Sequence, residues 1–93
     1  MNTLIEDFYQ KASQVVINVT GVEHIFQSNQ EEAVDARSIL IYILSEKGIT
    51  DTQIASLTHL TRQGVNKLKN SARFRKQKFS FASNLQQIRN ELL

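Results

Sequence analysis

Residues 50–70, TDTQIASLTHLTRQGVNKLKN, decide the reading of this chain. They form two short helical patterns separated by a tight break. Thr50 suits an N-cap, and Gln53 three residues on completes a capping box, in which hydroxyl and amide satisfy two orphan backbone donors reciprocally. Ile54, Ala55 and Leu57 supply the inward face of the first helix. Leu60 plugs the angle after the Thr58-His59 break, and Thr61 is a second N-cap. Val65 and Leu68 mark the buried side of the second helix. His59 stands where such a turn usually places glycine, and histidine tolerates a left-handed backbone better than most residues. Small Ala55 permits close approach and Val65 fills the corner, the spacing a helix-turn-helix requires.

The outward face of the second helix carries Thr61, Arg62, Gln63, Asn66, Lys67 and Asn70, with no acid among them. Arginine, glutamine and asparagine make bidentate contacts to base edges, whereas lysine and threonine suit phosphates. A plain helical hairpin with a solvated face has the same pattern, so the rest of the chain must decide.

Ninety-three residues suit one domain, 1–93, which buries roughly 60–65% of its unfolded surface and can fold alone. With 41% hydrophobic residues, no proline and three glycines, an all-α fold is expected. The absence of cysteine removes disulfides, thiol nucleophiles and thiolate metal sites. His24 and His59 lie on different elements and make neither a metal site nor a nucleophile–base pair, so no enzyme and no cofactor is expected. No Gly-rich phosphate loop followed by Lys-Ser/Thr occurs, so no nucleotide is expected either. No apolar run suits a membrane and no leader pattern opens the chain, giving a cytoplasmic expectation.

The net charge of +2 conceals an asymmetry: residues 1–51 sum to −5 and residues 52–93 to +7. Seven cations, Arg62, Lys67, Lys69, Arg73, Arg75, Lys76 and Lys78, fall in one stretch without a single acid. Charge runs are commonly just solvated faces. This one starts on the candidate recognition helix and continues where a phosphate backbone would pass, which favours nucleic acid.

Upstream, a first helix is expected from Thr3 to about Asn18, capped by Asn2 or Thr3 and ended at Thr20-Gly21. Residues 22–26 read as a short helical turn with Val22, Ile25 and Phe26 inward and His24 on the surface. Ser28-Asn29-Gln30 provides a linker and cap. Glu31, Glu32 and Asp35 then suit the positive end of a helix that is apolar almost all round (Ala36, Ile39, Leu40, Ile43, Leu44) and ends at Lys47-Gly48. That helix is the expected centre of the bundle. Arg37 on it is placed to pair with an acidic neighbour or to reach DNA. Downstream, Phe74, Phe81, Leu85, Ile88 and Leu92 recur at helical intervals, so residues 71–93 read as one long basic-headed helix with a break possible near Ser80. Core packing is the expectation for Phe74 and Phe79, an exposed Phe79 serving instead as a dimer contact.

Taken together, residues 15–70 resemble the C-terminal DNA-binding domain of the bacterial replication initiator DnaA and its small stand-alone relatives in the Trp-repressor-like superfamily. The resemblance rests on the turn Val19-Thr20-Gly21-Val22, Ser28, Ala36-Arg37 leading the apolar helix, Ile54 and Val65. It implies a compact bundle of five or six helices around a central helix-turn-helix. Where the family carries an Asp-His-Ser/Thr-Thr/Ser-Val signature this chain has Thr61-Arg62-Gln63-Gly64-Val65, and the family's basic loop is here Asn29-Gln30-Glu31-Glu32. The implied mode is therefore generic: Arg62, Gln63, Asn66 and Lys67 toward the groove, Thr61 and Lys69 toward phosphates. Asn70 on the same outward face, Arg73 in the basic stretch and Arg37 complete the expected DNA contacts on the reading of the residues alone. The expected function is binding of double-stranded DNA as an accessory of replication or transcription, with a homodimer possible. The competing expectation is a protein-interaction or dimerisation module on the same fold.

Overall fold

The computed structural model describes residues 3–92, and among these it is an all-helical globule of five helices without strands. The helices are α1 (Thr3–Thr20), α2 (Glu31–Glu46), α3 (Asp51–Thr58), α4 (Arg62–Arg75) and α5 (Phe79–Leu92). The radius of gyration, 12.0 Å, equals the roughly 12 Å expected of a compact chain this long. Asn2, one of the two expected caps of α1, lies outside the described residues.

The helix ends follow their residue chemistry. The Thr20 hydroxyl donates to the Val16 carbonyl at 2.7 Å and accepts from the Val22 amide at 3.2 Å, and Gly21 takes a positive φ of 74°. Thr20 thus stays inside α1, two residues past the expected end. Gly48, with φ of 95°, closes α2, and its amide donates to Ser45 O. Thr50 and Gln53 form the full capping box of α3.

The core is built around α2, whose Ala36, Ile39, Leu40, Ile41 and Leu44 are at most 1% exposed. It packs on α1, α3, α4 and α5. Against it lie Ala12 and Val16 of α1, Ile54 of α3, Val65 and Ala72 of α4, and Phe81, Leu85 and Ile88 of α5. The α2–α4 crossing carries a polar lock: the fully buried Ser38 hydroxyl donates to Leu68 O at 2.9 Å. Such a bond satisfies a hydroxyl that would otherwise cost about 1–3 kcal/mol to bury.

Two expectations require correction. Residues 22–26 form no helix; the 21–30 connection has a single turn at 25–27, with Ile25 buried. Nor do residues 71–93 form one helix. Residues 71–75 complete α4, the chain turns at 76–78 through Gln77 N–H to Phe74 O and Lys78 N–H to Arg75 O, and α5 begins at Phe79. The break therefore precedes Ser80. It also overturns the core assignment of two aromatics, since Phe74 is 75% and Phe79 88% exposed.

Candidate nucleic-acid interface

α3 and α4 meet at a turn set by two residues. His59 adopts φ 62°, ψ 22°, a left-handed conformation, and caps α3. Thr58, buried, donates its hydroxyl to Ile54 O at 2.8 Å and so closes the end of α3 from within. Thr61 then opens α4 by accepting from the Gly64 amide at 2.9 Å. A Cβ at Gly64 would stand 3.2 Å from Thr61 Oγ1, so the cap leaves little room for a larger residue. Val65, fully buried, holds α4 in the corner.

With this side fixed, the opposite side of α4 is determined by periodicity. Arg62, Gln63, Asn66, Lys67, Asn70, Arg73 and Phe74 are all exposed. At 100° per residue they span an arc of about 140°, and Arg62 to Arg73 covers about 16 Å of helix. Arg62, Lys67 and Arg73 have no ion-pair partner among the described residues. The exposed face of α4 thus combines three uncompensated cations with three amide side chains. An open concavity at its N-terminal end is lined by Arg62, Gln63, Asn66 and Asp51.

The remaining cations behave differently. Lys69, expected on a phosphate, is half-buried and bonds Asp51 at 2.8 Å, tying α4 to the first turn of α3. Arg75 bonds Asp35 at 2.6 Å, and Lys78 bonds both Asp35 (2.8 Å) and Glu31. Hydrogen bonds to Asp35 first, then Glu31, raise the Lys78 pKa above its ordinary value. Lys76 rests on Tyr42, 4.0 Å from the ring centroid. The anion expected to lie against the basic stretch is therefore supplied in part by the chain's own α2 and α3.

Arg37 turns to its own chain as well. Its guanidinium donates to Ile25 O at 2.9 Å and Ser28 O at 2.6 Å, and lies over the Phe26 ring. It pins the 21–30 connection onto α2, which explains how a loop without helix holds Ile25 in the core. The Ser28 hydroxyl accepts from the Gln30 amide at 3.1 Å, just ahead of α2.

Sequence reading assigned no role to Tyr42 and Ser45, which with Lys76 of the basic stretch line a cleft of about 310 Å³ beside Asn70 and Arg73. No local signal marks Tyr42 or Ser45: Tyr42 sits in an apolar run, and only the packing of α2 on α4 brings it to α4. His24 and His59 are both exposed, and no cluster of metal-ligating side chains occurs among the described residues. No described helix is long and apolar enough to cross a membrane. No family model, curated protein or solved structure matches the chain.

Proposed function

We propose that this protein binds double-stranded DNA, with α3 and α4 acting as a helix-turn-helix and α4 entering the major groove as an accessory of replication or transcription. The observation that carries the reading is the α4 face itself. Arg62, Gln63, Asn66, Lys67, Asn70 and Arg73 are exposed together on a helix whose other side is locked by Val65, Ala72 and Ser38. Arg62, Gln63 and Asn66, in the first turns, have the chemistry for base edges. Lys67 and Arg73 are free to neutralise phosphates, Asn70 lies between them, and Thr61 is engaged as the cap. The likeness of residues 15–70 to the initiator's DNA-binding domain points the same way.

The test is duplex binding by fluorescence anisotropy across a salt series, with a randomised pool and recovery of the bound fraction. Lys67 and Arg73 on phosphates, with Arg62 also displacing a counterion as it enters the groove, give the α4 face an expected slope of log affinity on log salt of about −3, before any contribution from outside that face. Arg62→Ala is expected to cost about 1–3 kcal/mol and relax preference at one base position. No retention of duplex at low salt refutes the reading.

A second reading, a protein-interaction or dimerisation module, is favoured by one feature: Phe74 and Phe79 flank the α4–α5 turn and are both exposed. It predicts a dimer in sedimentation velocity that Phe79→Ser dissociates, with no retardation of duplex.

A further inference from the structure

The cleft between α2 and the end of α4 is built from side chains with one shared competence. From α2 it takes Tyr42, Ser45 and Glu46; from α4 and its C-cap it takes Lys69, Asn70, Arg73 and Lys76. Three cations thus face one carboxylate. Lys69 is already satisfied by Asp51, and Glu46 is held from α5 by Arg89, whose guanidinium donates to both its oxygens at 3.0 and 2.7 Å. Arg73 and Lys76 are left without a carboxylate partner among the described residues. Around them stand the Asn70 amide, the Ser45 hydroxyl and the Tyr42 hydroxyl, which accepts from Lys76 Nζ at 2.5 Å.

Placement near a helix C-terminus explains one part of this. Arg73 and Lys76 lie where cations offset the negative end of the α4 dipole. It does not explain why both line one open cleft that Tyr42 and Ser45 also line. Nor does it explain the fixing of Tyr42, whose ring is flanked by Lys76 at 4.0 Å and Arg89 at 5.5 Å from its centroid. Two cations with no carboxylate partner among the described residues, Arg73 with its planar fork and Lys76 donating only to the Tyr42 hydroxyl, together with hydroxyl and amide groups, match a tetrahedral phosphate oxyanion.

We propose that this α2–α4 cleft is a phosphate-binding site, occupied by a DNA backbone phosphate at the edge of the groove that α4 reads. Arg73 follows Asn66 by about 10 Å along the helix, close to the roughly 12 Å width of a major groove. A group at the groove floor beside Asn66 and a backbone phosphate beside Arg73 are thus compatible with one pose. The DNA form of this assignment rests on the duplex reading above; the phosphate chemistry does not.

Lys76 separates the two, because it lies outside the exposed face of α4. The experiment uses the full chain, with Lys76→Met, which removes the charge at similar side-chain length, and Arg73→Gln, whose wild-type side chain has no ion-pair partner among the described residues. Thermal unfolding verifies that both fold. Duplex binding is measured across salt, and inorganic phosphate is titrated while the amide resonances of Ser45, Asn70 and Lys76 are followed. Each variant is expected to make the slope shallower by about 0.9 with the enriched sequence unchanged for Lys76→Met, and to abolish phosphate-induced shifts. Phosphate shifts lost in the variants, with duplex binding absent or its slope unchanged in Lys76→Met, assign the cleft to a free phosphate group and overturn the backbone form. Duplex binding with an unchanged slope in Lys76→Met and no phosphate shifts overturns the cleft while leaving the α4 reading intact. Absence of both duplex binding and phosphate shifts overturns both.

Discussion

Replacing Asp35 by alanine tests whether charge ties α2 to the α4–α5 corner. The carboxylate accepts from Arg75 at 2.6 Å and from Lys78 at 2.8 Å, and its side chain is only 18% exposed. At an effective dielectric of 20, two unit charges 4 Å apart attract by about 4 kcal/mol, so two such pairs set a ceiling near 8 kcal/mol. Desolvation and screening remove most of that, and partly exposed pairs are typically worth about 1 kcal/mol or less. The two partners also lose unequally. Lys78, 37% exposed, keeps Glu31, so its share is about 0.5 kcal/mol. Arg75, 24% exposed, keeps only a long bond to the Ser71 hydroxyl, so its share is about 1–1.5 kcal/mol. The expected destabilisation is therefore about 1.5–2 kcal/mol, or roughly 6–16 °C in Tm. Urea unfolding followed by far-UV circular dichroism measures it as a lower midpoint at unchanged m. Arg75→Ala in a double-mutant cycle should return a coupling near 1 kcal/mol. An Asp35→Ala midpoint within about 0.3 kcal/mol of the parent, or a strictly additive cycle, would refute the reasoning, because the pair would then be fully screened.

Three further outcomes are expected. Phe81→Ala, at 1% exposure, should cost about 3–5 kcal/mol in urea, whereas Phe79→Ser, at 88% exposure, should stay within about 0.5 kcal/mol; a reversed order would place the wrong aromatic in the core. His59→Val, forced into the left-handed region, should lose about 1–2 kcal/mol while His59→Gly remains near the parent; equal losses would deny the turn conformation. Above about pH 10 stability should fall. Burial raises the Tyr9 phenol above its ordinary 10.0, and the Asp35 and Glu31 hydrogen bonds raise Lys78 above 10.5. In both cases the unfolded chain loses its proton first, so the contribution is complete below those ordinary values and disappears as pH climbs through the folded ones. Urea midpoints between about pH 8 and 12 check this, and Tyr9→Phe should make the decline shallower.

The all-helical class and most helix ends were legible because each depends on a local residue choice. A Thr-x-x-Gln box, a threonine cap, a histidine at a turn and glycines after α1 and α2 act within four residues of themselves. The α4–α5 corner was not legible for the complementary reason. Phe74 and Phe81 stand seven residues apart, in phase for one helix, and no glycine or proline interrupts Lys76-Gln77-Lys78. The turn there is made by two backbone bonds and secured by Lys78 on α2, a contact between residues more than forty positions apart. Periodicity has no access to that term, so it carried the pattern through the break and placed Phe74 in the core. Arg37 escaped for a similar reason, since its partners are backbone carbonyls, which every residue offers.

Cis neutralisation changes what the basic stretch can do. Seven cations counted along the sequence suggest strong, unspecific attraction to a polyanion. With Lys69, Arg75 and Lys78 engaged by acids, the exposed face of α4 keeps three. A slope near −3 costs only about 60-fold in affinity between 50 and 200 mM salt, whereas six to ten phosphate contacts would cost about 10³–10⁵. If the proposed duplex reading holds, weak dependence of this kind also means a small sequence-independent term, so useful affinity at physiological salt would have to come from base edges or from a second copy on a neighbouring half-site. The acids on α2 and at the start of α3 therefore serve two ends. They fasten α4 and the following corner to the core, and under the proposed duplex reading they would lower the background of unspecific binding against which Arg62, Gln63 and Asn66 would discriminate.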